Sequence, residues 1–380
     1  MRNLIQVLVL LFLFSVVTEA GDKKVKKEEN RDLVSQGFKM DDPSSPWSPM
    51  RLGQPHMDIV NFRSMASGSM PGGPLWIAGG TLPATGIPLK HFAWYLPKGM
   101  GQARPVPIPL APTSATSTSV RFSSIGASGD SIAIVAGYSG IIVRTATGGR
   151  TWDTVAISRA YNTSAGFLDG LIFLNADTVV AYGDRVDSTL WIVRSLDKGV
   201  TWARVNGKPT GGYNEGNAIS ADSAAKLGNL YDWAIGGSGA TISSHKNTVW
   251  IQSYSSAGGL PPAILKSTDA GATWQIYAGK HKFGNRTQMW SVSFKNDSLG
   301  FAVTLPVGRL YKTVNGGRTW GDSIAIEPFT VAQAAQNPYS VTYVPNSNNI
   351  YLFGFSNLTG SKTWRSSDEG ATWTSIVTPG

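Results

Sequence analysis

Ser267-Thr268-Asp269-Ala270-Gly271-Ala272-Thr273-Trp274 is a phrase that the chain repeats. The same frame, Ser/Thr-x-Asp-x-Gly-x-Thr-Trp, returns at 195–202 and 366–373, with Asp197 and Asp368 at the acidic position. Two further copies have lost the aspartate: 145–152 carries Thr147 there, and 313–320 carries Asn315. All five keep the glycine, the threonine and a closing tryptophan, which is Trp152, Trp202, Trp274, Trp320 or Trp373. An aspartate in a tight turn accepts hydrogen bonds from backbone N–H groups just after it and closes the turn from inside. The glycine stands where such a turn needs φ above zero. The tryptophan then opens the next strand with a large apolar side chain suited to wedging between sheets. The frame therefore predicts a hairpin turn, with its aspartate in a structural role.

Outward from each copy the pattern continues. A short apolar run precedes it (Ile141-Ile142-Val143, Trp191-Ile192-Val193, Ala263-Ile264-Leu265), then one basic residue: Arg144, Arg194, Lys266, Lys312 or Arg365. The closing tryptophans are 50, 72, 46 and 53 residues apart. A period near 50 with room for four short strands is that of a β-propeller. The 72-residue interval holds an insertion at about 207–232, in which 218–230 reads as one short helix. Ahead of the first copy, 59–62, 75–79, 92–96 and 105–108 read as a unit without the phrase. Pro105, Pro107 and Pro109 make the last of these an edge strand. The fold expected is all-β, a propeller of four-stranded antiparallel blades over 57–380. Six blades are counted, or seven if the N-terminal region hides another.

These copies resemble the Asp-box repeat of sialidase-type propellers. Gly137-Tyr138-Ser139-Gly140-Ile141-Ile142-Val143-Arg144-Thr145, running into Gly148-Gly149-Arg150-Thr151-Trp152, resembles exported propellers similar to the photosystem II assembly/stability factor. Asp169-Gly170-Leu171-Ile172-Phe173 with Gly183-Asp184 is similar to secreted relatives of that family. The resemblance covers about 118–380. It implies either a binding or assembly module or, on the sialidase side, a glycoside hydrolase acting on extracellular glycans. An active sialidase implies an arginine triad opening in Arg-Ile-Pro, a Tyr/Glu nucleophile pair and an acid/base aspartate. No Arg-Ile-Pro occurs here, and Arg104-Pro105 lacks the middle residue. Tyr339 lies near the place of a nucleophilic tyrosine, with no glutamate placed to activate it.

The remaining composition narrows the choices. Residues 1–20 read as a cleaved export signal: Arg2, an apolar run over 4–17, and small residues before Gly21. No membrane span is expected after its removal, because the run is too short for a retained anchor. Residues 21–56 read as a disordered linker. The absence of cysteine excludes disulfides and thiolate metal sites. His56, His91, His245 and His281 show no ligand spacing, so no metal and no cofactor are expected. The net charge of +9 owes much to the tail at 23–27 and the five bases before the boxes, so no specific nucleic-acid partner is read from it. An exported monomer that binds a protein or glycan is the expectation.

Strand order locates the surface for that partner. If the boxes join the third and fourth strands, then the links between blades and between strands two and three lie at the opposite end. Those links hold Asp169, Asp184, Arg185, Asp187, Tyr213, Glu215, His281, Arg286 and Tyr339, together with the insertion. Loops free of structural duty are where binding residues concentrate.

Overall fold

The computed structural model describes residues 51–52, 60–67, 74–81, 91–96, 102–108, 122–137, 141–155, 168–186, 189–205, 208–231, 242–252, 261–278, 283, 288–305, 309–324, 326, 336–344, 347–356 and 360–376. Residues 1–50, with the expected signal and most of the linker, lie outside that set, as do Asp187, His281 and Arg286.

The described chain forms six sheets, each laid down in sequence order. The first contains β1 (Arg51–Leu52), β2 (Val60–Ser67), β3 (Leu75–Thr81), β4 (His91–Leu96) and β5 (Gln102–Pro107). The second has β6 (Phe122–Ser128), β7 (Ile132–Gly137), β8 (Ile142–Thr145) and β9 (Asp153–Val155). The third has β10 (Leu168–Phe173), β11 (Val179–Val186), β12 (Thr189–Ser195) and β13 (Ala203–Arg204). The insertion supplies β14 (Gly212–Asn214), β15 (Asn217–Ile219) and α1 (Ala221–Gly228). It joins a fourth sheet of β16 (Ile242–His245), β17 (Thr248–Gln252), β18 (Ile264–Ser267) and β19 (Gln275–Ala278). The fifth has β20 (Gln288–Phe294), β21 (Gly300–Leu305) and β22 (Arg309–Thr313). The sixth has β23 (Gln336–Tyr343), β24 (Ile350–Ser356), β25 (Gly360–Ser366) and β26 (Thr374–Ile376). Within each sheet the repeat strands pair antiparallel, and the first strands of successive sheets touch in chain order from β2 to β23.

Three local expectations change. The helix is shorter than 218–230, because Ala218 and Ile219 pair with β14; Ser220 then caps it, its hydroxyl accepting from Ser223 N. β5 is not an edge strand. Arg51–Leu52, within the stretch read as linker, pair with it in parallel at Gln102 and Ala103. That contact uses the part of β5 ahead of Pro105, where the N–H groups are intact. In the fifth sheet a fourth strand shrinks to one bridge, Leu310 to Ile324.

The repeated phrase does what its residue types dictate. In 267–274, Asp269 Oδ1 accepts from Ser267 Oγ at 2.8 Å and Thr273 N at 2.9 Å, and Oδ2 from Thr273 Oγ1 at 2.6 Å. The copies at 195–202 and 366–373 repeat this set. Burial pushes the Asp197 carboxyl up, but hydrogen bonds from Thr201 and Ser195 outweigh it and bring it down to about 2. Hydrogen bonds from Thr372 and Ser366 hold Asp368 at about 2 as well. In the copies without aspartate, Thr147 Oγ1 and Asn315 Oδ1 still accept from the threonine N, at 2.9 Å each. Gly271 sits at φ 83, and a Cβ there would come within 2.6 Å of Val180 in the third sheet. Only glycine combines that backbone with that approach.

Each box also reaches beyond its own sheet. Trp152, Trp202, Trp274, Trp320 and Trp373 pack in five core clusters, each shared between the tryptophan's sheet and the one before it. Trp274, buried between the third and fourth sheets, is 1% exposed. Third-strand side chains bond the next sheet in turn. Tyr95 donates to Asp130 O, Arg144 to Lys198 O, Arg194 to Ala270 O, Lys266 to Asp297 O and Lys312 to Glu369 O. The base before each box is thus a staple between neighbours. Arg365 alone turns back to Asn349 of its own sheet.

Candidate binding site

The two ends of the sheets differ. At one end lie the boxes and, bonded to them, the turns between first and second strands. Gly148 N donates to Ser131 O, Lys198 N to Asp177 O, Ala270 N to Asn247 O and Gly316 N to Ser298 O. The turn between strands one and two therefore shares the box end, as the strand order requires. First strands must enter from the other end.

At that entering end five of the six first strands break register. The shifts fall between Phe62 and Ser64, Phe122 and Ser124, Leu168 and Gly170, Met289 and Ser291, and Pro338 and Ser340. The extra residues are Arg63, Ser123, Asp169, Trp290 and Tyr339. A bulge adds a residue that the ladder does not use and re-aims it, which is why bulges gather beside sites. Serines following them bind the next sheet: Ser124 Oγ accepts from Leu171 N at 2.9 Å, and Ser291 Oγ from Val341 N at 3.1 Å. These bonds hold neighbouring bulges at one level, Ser123 beside Asp169 and Trp290 beside Tyr339.

Asp169 is 4% exposed. Its neighbour Gly170 pairs with Tyr182, whose ring lies where a Cβ of residue 170 would be. Tyr182 thus crosses the innermost strand, and its hydroxyl is buried without a hydrogen-bond partner among the described residues. Burial, and then the charge of Asp169, push that hydroxyl well above its ordinary range. Leu168 pairs with Gly183, and a second register shift follows between Gly183 and Val186. Asp184 and Arg185 therefore stand at the same end of the same strand pair as Asp169.

The structure brings Asp169, Asp184 and Arg185 together and places Tyr339 at the matching bulge of the sixth sheet. Tyr213 and Glu215 do not join them. They sit on the insertion hairpin at the outer edge of the fourth sheet, beyond β19. At about 4.8 Å per strand, that edge is roughly 19 Å from β16. Tyr213 is engaged there: the Arg318 guanidinium lies 3.9 Å over its ring, and Tyr277 meets it edge-on at 5.3 Å. Glu215 forms the hairpin turn at φ 52, its N–H donating to Ala278 O. Arg63, Ser123 and Trp290 escaped the sequence reading. Their signal is a shorter repeat, apolar-x-small: Phe62-Arg63-Ser64, Phe122-Ser123-Ser124, Leu168-Asp169-Gly170, Met289-Trp290-Ser291 and Pro338-Tyr339-Ser340.

A cavity of about 430 Å³ lies at the box end, between the second and third sheets, lined by Ser128, Ile132, Phe173, Leu174 and Lys198 among others. Its polar groups are already engaged, Ser128 Oγ with Ala176 O and Lys198 with Asp177. Among the described residues no group of three or more His, Cys, Asp or Glu could hold a metal, and no helix is long and apolar enough to cross a membrane.

No family model matches the sequence, and no curated protein matches it. Solved structures do. YCF48 bound to D1 peptide superposes with a TM-score of 0.50 at 16% identity, over 81% of this chain and 80% of that one. The GH74 xyloglucanase from Xanthomonas campestris gives 0.50 at 15% identity, over 78% of this chain and 43% of the enzyme. This chain spans less than half of that enzyme's length. At such identities the likeness carries the fold, and the chain is a β-propeller of this kind.

Proposed function

We propose that the protein is an exported, six-bladed β-propeller that binds a polypeptide or glycan without catalysis, through the mouth opposite its Asp boxes. The observation that carries this is the set of register breaks at one end of the innermost strands. They present Arg63, Ser123, Asp169, Trp290 and Tyr339 at positions with no ladder duty, while box residues are committed to turns and staples. A propeller of similar fold, YCF48, holds a D1 peptide, which favours a polypeptide ligand. Closure of the ring is supported by burial on the two outer faces. Leu75 and Ile77 face away from the second sheet, Tyr351 and Phe353 away from the fifth, and all four are at most 6% exposed.

A glycoside hydrolase is the second reading, favoured by two carboxylates, Asp169 and Asp184, on paired strands at the mouth. Incubation with polysaccharides separates the two readings. Binding without new reducing ends supports the first, and release of reducing ends that Asp169→Asn abolishes supports the second. Export is tested by N-terminal sequencing of protein recovered outside the cytoplasm, expected to begin near Gly21; an intact N-terminus would overturn it.

A further inference from the structure

We propose that Asn315 is a latent deamidation site, held back by the folded box, whose conversion writes in the aspartate that the fourth copy lacks. Box geometry carries this, independently of where a ligand binds. Asn315-Gly316 is the least hindered pairing for this chemistry, because glycine has no Cβ to obstruct its own nitrogen. Gly316 N attacks Asn315 Cγ; the N–Cγ bond forms and the Cγ–Nδ2 bond breaks. Ammonia leaves, carrying the proton that Gly316 N gives up. Water then opens the five-membered imide at either carbonyl, giving aspartate or isoaspartate. No oxidant or reductant is involved.

The fold opposes the first step at both reacting groups. Asn315 Oδ1 accepts from Thr313 Oγ1 at 3.1 Å and from Thr319 N at 2.9 Å, and Nδ2 donates to Thr319 Oγ1 at 2.8 Å. The attacking nitrogen donates to Ser298 O at 2.7 Å. Lys266 Nζ and Asp297 O crowd Gly316 from the preceding sheet and the adjoining turn. Ring closure needs these bonds released, so it proceeds when the turn opens or before the chain has folded.

The two products differ in what they do to the box. Aspartate needs no new space, since Asp197, Asp269 and Asp368 hold the same position, their Oδ2 atoms accepting from threonine at 2.5–2.6 Å. Thr319 Oγ1 need only turn from acceptor to donor. Isoaspartate adds a methylene to the backbone and carries Gly316 N away from Ser298 O.

The test incubates folded and urea-unfolded protein side by side at mildly alkaline pH and follows both Asn-Gly pairs, Asn206-Gly207 and Asn315-Gly316, by peptide mass spectrometry. In the unfolded chain both should convert at similar rates. In the folded protein Asn315 should convert at least about tenfold more slowly than when unfolded, and Thr319→Ala should remove much of that protection. Asn315→Asp should melt at or above the parent temperature. Equal folded and unfolded rates at Asn315, or a lower melting temperature for Asn315→Asp, would overturn the proposal.

Discussion

The two ends of the sheets obey different rules. At the box end every residue type has a local reason: an oxygen that accepts from the turn, a glycine at positive φ, a tryptophan between sheets, a base reaching the next box. At the opposite end the frame is only apolar-x-small, and the middle residue changes freely through Arg63, Ser123, Asp169, Trp290 and Tyr339. Repetition marks where the fold is secured, and variation within a fixed geometry marks where chemistry can differ without cost to the fold.

The largest effect expected on that contrast is at the box tryptophan. Trp274→Ala should cost about 3–5 kcal/mol in chemical denaturation, because it empties the contact between the third and fourth sheets. Trp373, half-buried beside the fifth and sixth sheets, should cost less on the same substitution. Equal losses would mean that burial between sheets is not what the tryptophan supplies.

Asp269→Ala should cost about 1–2 kcal/mol through lost turn bonds. The box carboxylates also carry a pH signature. Their folded values lie below the ordinary 3.8, at about 2 for Asp197 and Asp368, and Asp269 shifts the same way. Lowered folded values mean that the unfolded chain takes up protons first. The stabilisation is whole above the unfolded value and fades as pH falls from about 4 towards 2. Replacing Asp197, Asp269 and Asp368 together by asparagine should flatten the melting temperature across that window. A variant that keeps the parent slope would place the acid sensitivity elsewhere.

Much of the box end was legible in sequence because its causes lie within eight residues. The bases before the boxes were visible too, but not their partners: Arg194 meets Ala270, seventy-six residues on. β1 was missed because two residues carry no periodicity. Tyr213 and Glu215 were grouped with the mouth because chain order gives the end of a strand but not its depth in the sheet; a parallel addition outside β19 moves them to the rim. The bulges were missed for a related reason. Register is a property of two strands, and neither shows it alone.

A smaller effect should separate Arg194 from Arg365. Arg194→Ala removes a bond to the next box and should lower stability by about 1 kcal/mol. Arg365→Ala removes bonds only within its own sheet, to the exposed Asn349 contact, and should change stability less. Thermal melts of the two variants side by side check this, and the reverse order would contradict the role of staples between sheets.

The smallest stability change, and the most direct test, belongs to the mouth. Protein carrying Asp184→Ala with Arg185→Ala is compared with protein carrying Leu196→Ser and Val200→Ser, two exposed box positions. Each is scored for melting temperature and for retention of the partner captured by the parent from cell-envelope extract or a glycan array. Both should melt within about 0.5 kcal/mol equivalent of the parent. The mouth pair alone should lose the partner; loss in the box-end pair with retention in the mouth pair would contradict a binding mouth opposite the boxes.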